Sequence, residues 1–177
     1  MSLEHSPDLA ARVREAALLE GDFVLSSGKR SNFYVDKYRF STEPGLLRDV
    51  AGTLADKVPE DVTRLAGVEL GAVPLVVAVS LLTELPYVIA RKSVKEYGTG
   101  KGIEGEFERG DRVVLIEDVV TTGTQAVAAA RRLVEAGVEV VKIVAVLDRR
   151  KMETASLEEF SFEALLRMKD LRVTNEN

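Results

Sequence analysis

Between Val113 and Gln125 the chain reads VVLIEDVVTTGTQ, and two kinds of chemistry lie side by side in that stretch. Glu117 and Asp118 are adjacent carboxylates, which accept hydrogen bonds from sugar hydroxyls or approach a divalent cation. Val119 and Val120 separate them from Thr121, Thr122, Gly123, Thr124 and Gln125, where hydroxyls and a glycine precede a helical repeat. A turn from strand into helix exposes backbone N–H groups at the positive end of the helix dipole, where anions bind. The threonines add donors and Gly123 lets the backbone come close, so the segment reads as a phosphate cradle. A threonine-rich N-cap loop is the plainer alternative, but an acid pair that merely caps the helix explains one carboxylate and not both. Two acids beside a phosphate repel it unless they meet sugar hydroxyls or a cation. A phosphorylated sugar with Mg2+ satisfies every group.

The opposite charge comes from ARKSVKEYGTGKGIEG, where Arg91, Lys92, Lys95 and Lys101 are interspersed with glycines. Such a segment is too polar to pack and suits a mobile lid closing over an anionic substrate, with a solvated surface loop as the alternative. Two motif matches within it fail. GKGIEG fits G-x-G-x-x-G, yet no strand leads directly into it and no apolar helix follows. GTGKG resembles the end of an ATPase P-loop, but Gly102 replaces the Ser/Thr and Lys95 occupies the first glycine position.

These groups need a scaffold that brings loop ends together. Ser6, Pro7 and Asp8 read as the start of a helix with Leu9, Val13, Ala16 and Ala17 inward and Gly21 at its end. Phe23-Val24-Leu25 and Phe33-Tyr34-Val35 flank SSGKRSN as a hairpin-like pair. A helix starts near Pro44. From Arg64 onwards strands and helices alternate: strands Arg64–Val68, Tyr87–Ala90, Val113–Ile116 and Val140–Leu147, with helices after ELGAVP, ending near Thr83, and from Gln125 to Ala136. Strands buried on both faces and joined by helices describe a parallel α/β sheet. The tail from Phe160 to Val173 fits strand or helix. In an open sheet of this kind ligands bind beyond the carboxyl ends of the strands. Glu69-Leu70-Gly71-Ala72, Arg91-Lys92 and Glu117 to Thr124 all fall there.

Composition narrows the function further. The chain has 177 residues, 46% hydrophobic and 30% charged, as expected for one globular domain. Its net charge of −5 provides no global attraction for nucleic acid or an anionic membrane. With no cysteine and a single histidine, His5, thiolate chemistry and a multi-histidine metal site are excluded, and histidine-centred acid–base catalysis is disfavoured. MSLEHSPDL lacks the features of a signal peptide, and the apolar run Val73 to Leu82 is short of the roughly 20 residues that span a bilayer. A cytoplasmic protein is expected.

A strand followed by EDVVTTGT resembles the 5-phosphoribosyl 1-diphosphate (PRPP) signature of the type I phosphoribosyltransferases. Within them the chain is similar to the orotate phosphoribosyltransferases, on FVLSSGKRSNFYVD, ELGAVPLVVAVS and RKSVKEYGTGK. The match runs from about residue 8 to 150; the signature identifies the superfamily, and SSGKRSNFYVD points to orotate. The resemblance implies a type I phosphoribosyltransferase fold in one domain, residues 1–177: a central, mostly parallel sheet flanked by helices, a small hood from about 1–40, a core over about 41–150 and a flexible lid at about 92–105. It implies the reaction of orotate with PRPP to orotidine 5′-monophosphate and diphosphate, with Mg2+, as in pyrimidine (UMP) biosynthesis.

The roles it implies are as follows. Glu117 and Asp118 meet the ribose hydroxyls, directly or through metal and water, with Mg2+ carried by PRPP rather than bound directly. Thr121 to Thr124 hold the 5′-phosphate, Val119, Val120 and Gln125 also contact PRPP, and Arg91, Lys92 and Lys95 meet the diphosphate. Lys95, catalytic together with Glu117 and Asp118, closes from the neighbouring subunit of a homodimer. Arg149 and Thr121 contact orotate, and Phe33 and Tyr34 lie beside its ring. Three places depart from the common family pattern: Ser26 where many relatives have lysine, the surroundings of Gly71 where they carry another lysine, and Tyr97 where they have histidine. Lys29, Arg30 and Lys101 are available to replace that charge. A phosphoribosyltransferase for a purine or uracil, and a PRPP-sensing regulator, are the alternative readings.

Overall fold

The computed structural model describes residues 9–24, 28, 30–92, 102–152 and 154–171. The elements run α1 (Leu9–Ala17), β1 (Leu18–Val24), β2 (Arg30–Val35), α2 (Lys37–Thr42), α3 (Pro44–Ala55), β3 (Arg64–Val68), α4 (Val73–Thr83) and β4 (Tyr87–Ala90). They continue with β5 (Ile103–Glu104), β6 (Arg112–Val120), α5 (Thr124–Glu135), β7 (Glu139–Asp148), β8 (Ser156–Leu157), β9 (Phe160–Arg167) and α6 (Met168–Leu171). A seven-stranded sheet has the order β5-β4-β3-β6-β7-β9-β8, and β1 pairs with β2 in a separate hairpin. The five inner strands are parallel; the two-residue strands β5 and β8 close the edges antiparallel.

Period-2 alternation on β6 explains the layers. Val114 and Ile116 pack with α3 and α4 in one apolar cluster, while Val113 and Leu115 pack with α5 and β8 in the other. Both faces of the sheet are thus covered, which is why its inner strands read as unbroken apolar runs. Glu43 caps α3, accepting from the Gly45 and Leu46 amides at 2.9 and 2.5 Å, and Pro44 opens its first turn. At the far end of α5, Gly137 turns the chain into β7 with φ of +92°.

Several boundaries differ from the sequence reading. Ser6, Pro7 and Asp8 lie outside the described residues, and the first helix ends at Ala17 rather than Gly21. Pairing overrides helix propagation there: Leu18 and Leu19 lie opposite Val35 and Tyr34, and Gly21 sits in a bulge between Glu20 and Phe23. Helix α2 was not anticipated; its N-cap is Asp36, whose carboxylate accepts from the Tyr38 amide. Strand β6 runs four residues past Ile116, because β7 goes on pairing with it after β3 has stopped, as far as Val120 opposite Asp148. Ile103 and Glu104, read as loop, pair with Ala90 and Ile89. The tail is strand first and then a short helix, with β9 parallel to β7.

Candidate active site

The carboxyl ends of β3, β4, β6 and β7, neighbours in the sheet, deliver Glu69, Arg91, Asp118 and Arg149 to one edge. The acid pair sits inside the last turn of strand pairing rather than beyond it. Glu117 is 6% exposed and Asp118 2% exposed. Each is tied only locally on the backbone side: Glu117 Oε1 accepts from the Asp118 amide at 3.1 Å, and Asp118 Oδ1 accepts from the Val119 amide at 2.6 Å. Asp118 Oδ2 accepts no aligned hydrogen bond among the described residues, and its approach to Lys37 Nζ at 2.8 Å is an ion pair off the hydrogen-bond direction.

The electrostatics follow from this burial. Desolvation, and next the neighbouring charge of Asp118, push the Glu117 carboxyl up to about 8. Burial works against the ammonium of Lys37, but the close approach and charge of Asp118 outweigh it and raise its pKa. Room for the arrangement is made at Gly71, where a Cβ would overlap the Asp118 carboxylate.

Immediately after β6 the character changes. Thr121, Thr122, Thr124 and Gln125 are exposed, whereas Val119 and Val120 before them are packed into the two apolar clusters and still paired with β7. Thr122 Oγ1 and Thr124 Oγ1 lie 3.0 Å apart, and the Thr124 amide donates to Thr122 Oγ1 at 3.3 Å. Gly123 stands at the N-cap of α5 with φ of +86°, so the N-cap residue offers the helix start no side-chain acceptor, and beyond the Thr124 amide the first turn is left for a ligand. A Cβ at Gly123 would come within 2.6 Å of Leu157 Cδ2, so β8 buttresses the loop from behind.

The cationic side is mixed. Arg91 is engaged by protein acids, with Glu104 at 2.8 Å and Glu69 at 3.8 Å, and Arg132 donates to its carbonyl. Lys92 is exposed, and its amide donates to Glu69 at 3.1 Å. Arg149 continues the β6–β7 pairing through its amide, which donates to the Val120 carbonyl at 2.8 Å, and its guanidinium has no partner among the described residues. The next residue, Arg150, is the reverse: it forks onto Asp148 at 2.9–3.2 Å, reaches Thr154 and the Ser156 carbonyl, and lies over the Phe162 ring. Phe33 and Tyr34 are consecutive on β2, so their rings leave opposite faces of the hairpin; Phe33 is half-buried, and Tyr34 is exposed beside Phe23 at 5.7 Å between ring centroids. Lys95, Ser26, Lys29, Tyr97, Lys101 and His5 lie outside the described residues.

The structure therefore brings together Glu117, Asp118, the Thr121–Gln125 loop, Arg91, Lys92 and Arg149. Sequence reasoning missed Lys37, Leu157 and Glu104, and did not foresee that Glu69 pairs with Arg91. The available signal for Lys37 was the Asp36-Lys37 pair directly after an aromatic strand, a cap followed by a cation at a helix start.

Residues 41–163 match the phosphoribosyl transferase domain family. The chain is 47% identical over 157 residues to the orotate phosphoribosyltransferase of Natronomonas pharaonis, covering 88% of this chain and 90% of that one. It is 43% identical over 183 residues to the orotate phosphoribosyltransferase of Haloquadratum walsbyi, covering both in full. Among solved structures it is similar to the Mycobacterium tuberculosis orotate phosphoribosyltransferase in complex with PRPP, with a TM-score of 0.75 and 27% identity over 93% of this chain and 96% of that one.

Proposed function

The chain belongs to the phosphoribosyltransferase family, among the orotate phosphoribosyltransferases, and on that premise we propose that it transfers the 5-phosphoribosyl group of PRPP to orotate. The bond from ribose C1′ to the diphosphate oxygen breaks, a bond from C1′ to an orotate ring nitrogen forms, and orotidine 5′-monophosphate and diphosphate are released. The observation that carries the reading is the run from a buried acid pair into an uncapped, hydroxyl-lined helix start at the edge of a parallel sheet.

Such a transfer passes through a ribose with oxocarbenium character while a trianionic leaving group departs, much as in glycoside cleavage. Orotate is already an anion, so the protein must orient two anions and exclude water rather than supply a base. In this assignment Asp118 and Glu117 accept from the ribose hydroxyls. The amides and hydroxyls of Thr121 to Gln125 hold the 5′-phosphate, and Arg149, whose guanidinium is uncommitted among the described residues, and Thr121 hold orotate. Arg91 and Lys92 face the diphosphate; for Arg91 this means exchanging part of its pairing with Glu104 and Glu69.

Mg2+ fits the donors, which are hard carboxylate oxygens, one of them without an aligned partner. The ion would arrive with PRPP and be held through water by Glu117 and Asp118, where it supplies charge neutralisation of the diphosphate. A homodimer is part of the proposal: α4 is apolar all round its circumference, and Leu81, Leu82 and Tyr87 near its end are exposed. The lid of about residues 92–105 would then act across that interface. A cytoplasmic location goes with this reading; no helix of the described residues is long and apolar enough to cross a membrane.

The test is PRPP consumption with Mg2+ against orotate, uracil, adenine, hypoxanthine and xanthine. Turnover with orotate is expected, and turnover confined to another base would overturn the assignment. Lys95→Ala should lower kcat by at least ~10²-fold, the scale of one electrostatic stabiliser; near-normal turnover would remove the lid lysine from the mechanism.

A further inference from the structure

Lys37 lies at the start of α2, directly after the hairpin strand that carries Phe33 and Tyr34, yet its side chain reaches across to the acids of β6. Among the described residues it is the one cation paired with Asp118, at 2.8 Å, and it approaches the carboxylate oxygen that has no aligned hydrogen bond. The position of that oxygen depends on a second residue. A Cβ at Gly71 would overlap the Asp118 carboxylate and stand 3.3 Å from Lys37 Nζ. Gly71 and Lys37, far apart in sequence, are thus two parts of one device. The missing side chain opens the space, and the ammonium fills its rim with charge.

The rest of that corner is also unfinished in a way that suits an anion. An ammonium has three donors, and its contact with Asp118 is an ion pair that lies off all three directions. Beside it, among the described residues, the Leu70 and Gly71 amides donate to no partner. The Lys37 side chain is 32% exposed, so its donors are reachable from outside while Asp118 itself is sealed.

We propose that Lys37 is a positioning residue for Asp118: it holds the carboxylate in the one orientation in which it can take the ribose hydroxyls of the phosphoribosyl donor, and keeps two adjacent acids compatible with the donor's negative charge. This inference rests on the PRPP reading of the site.

The test is a set of variants read by steady-state kinetics and by calorimetric titration of PRPP with Mg2+. Lys37→Met keeps the apolar stem and removes the charge. It should raise the KM and the Kd for PRPP about tenfold or more while the KM for orotate moves less than about threefold, and Lys37→Arg should recover most of the loss. Unchanged PRPP affinity in Lys37→Met, or equal loss in Lys37→Met and Lys37→Arg, would overturn it; so would a lowered Tm with unchanged PRPP affinity. Because Lys37→Met strands a buried acid, the cycle is completed with Asp118→Asn and the double variant, which fold without that charge. Adding Lys37→Met to Asp118→Asn should cost no further PRPP affinity, whereas independent, multiplying losses would refute the coupling. Wild-type protein that binds PRPP but makes no orotidine 5′-monophosphate would count against the proposed reaction alone, since the calorimetric cycle decides on Lys37 without a base present.

Discussion

The acid pair and the hydroxyl loop are continuous in sequence, yet they are built on opposite principles. Glu117 and Asp118 are almost sealed inside the end of β6, at 6% and 2% exposure, with few partners for their oxygens. Thr121, Thr122 and Thr124 stand in the open, and the last two partly satisfy one another. One region stores electrostatic cost in the ligand-free protein and recovers it when hydroxyls or a cation arrive. The other holds little cost and gains bonds that water already supplied. Catalytic losses should therefore concentrate in the acids, and affinity losses in the loop.

The sharpest test is Asp118→Asn. It preserves shape and removes the charge, so kcat for orotidine 5′-monophosphate formation should fall about 10²–10³-fold with the protein still folded. Thr124→Val in the same assay should leave kcat within a few-fold of wild type. Equal kcat losses in the two variants would erase the distinction between the regions.

Next in size is Gly123→Ala. The loop depends on a φ of +86° and on space otherwise taken by Leu157, so the alanine is strained both in its own backbone and against β8. The KM for PRPP should rise about tenfold to thirtyfold with a smaller change in kcat. A change in kcat larger than that in KM would mean that the loop shapes the reacting centre and not only the phosphate end.

How much of this was legible beforehand depended on the kind of physics involved. The alternation of buried strands and helices from Arg64 onwards, and the strand-to-helix turn at Thr121–Thr124, rest on local pattern, and the structure has them where the pattern put them. The parts that were misplaced depend on pairing between distant segments. Gly21 could not be read as a bulge without knowing that Leu18 lies opposite Val35, nor could β6 be extended to Val120 without β7. In the site, Glu117, Asp118 and the loop declared themselves by being adjacent. Lys37 did not, because its meaning depends on Gly71 and Asp118, which only the fold brings near. Leu157 was hidden for the same reason.

A smaller difference separates two adjacent arginines at the end of β7. Arg149 has a guanidinium uncommitted among the described residues, whereas Arg150 is locked by Asp148, Thr154, Ser156 and Phe162. Arg149→Ala should raise the KM for orotate about tenfold, the worth of one charge-assisted bond, and leave Tm unchanged. Arg150→Ala leaves Asp148, 4% exposed, as an unpaired buried charge, and should lower Tm by about 6 °C or more. If the two variants exchanged phenotypes, the assignment of Arg149 to the substrate would be wrong.

The smallest effect is on stability, and it asks whether the acid pair really carries stored cost. Folding raises the Glu117 carboxyl from 4.5 to about 8, chiefly through burial and secondly through the charge of Asp118. A carboxyl raised on folding binds its proton more tightly in the native state. Its contribution is therefore fully present below the unfolded value of 4.5 and is lost as pH climbs through about 8. Glu117→Gln stays neutral at every pH and escapes that loss. In ligand-free protein with a chelator present, Tm of the variant and the wild type should coincide near pH 4.5, and the variant should be higher by about 3 °C or more at pH 8. Saturating PRPP with Mg2+ should reverse the order, because the wild-type carboxylate then meets its partners and the amide does not. A constant Tm difference across that pH range would mean that Glu117 costs the fold nothing. The contrast between a costly acid pair and an inexpensive hydroxyl loop would then rest on Asp118 and its pairing with Lys37 alone.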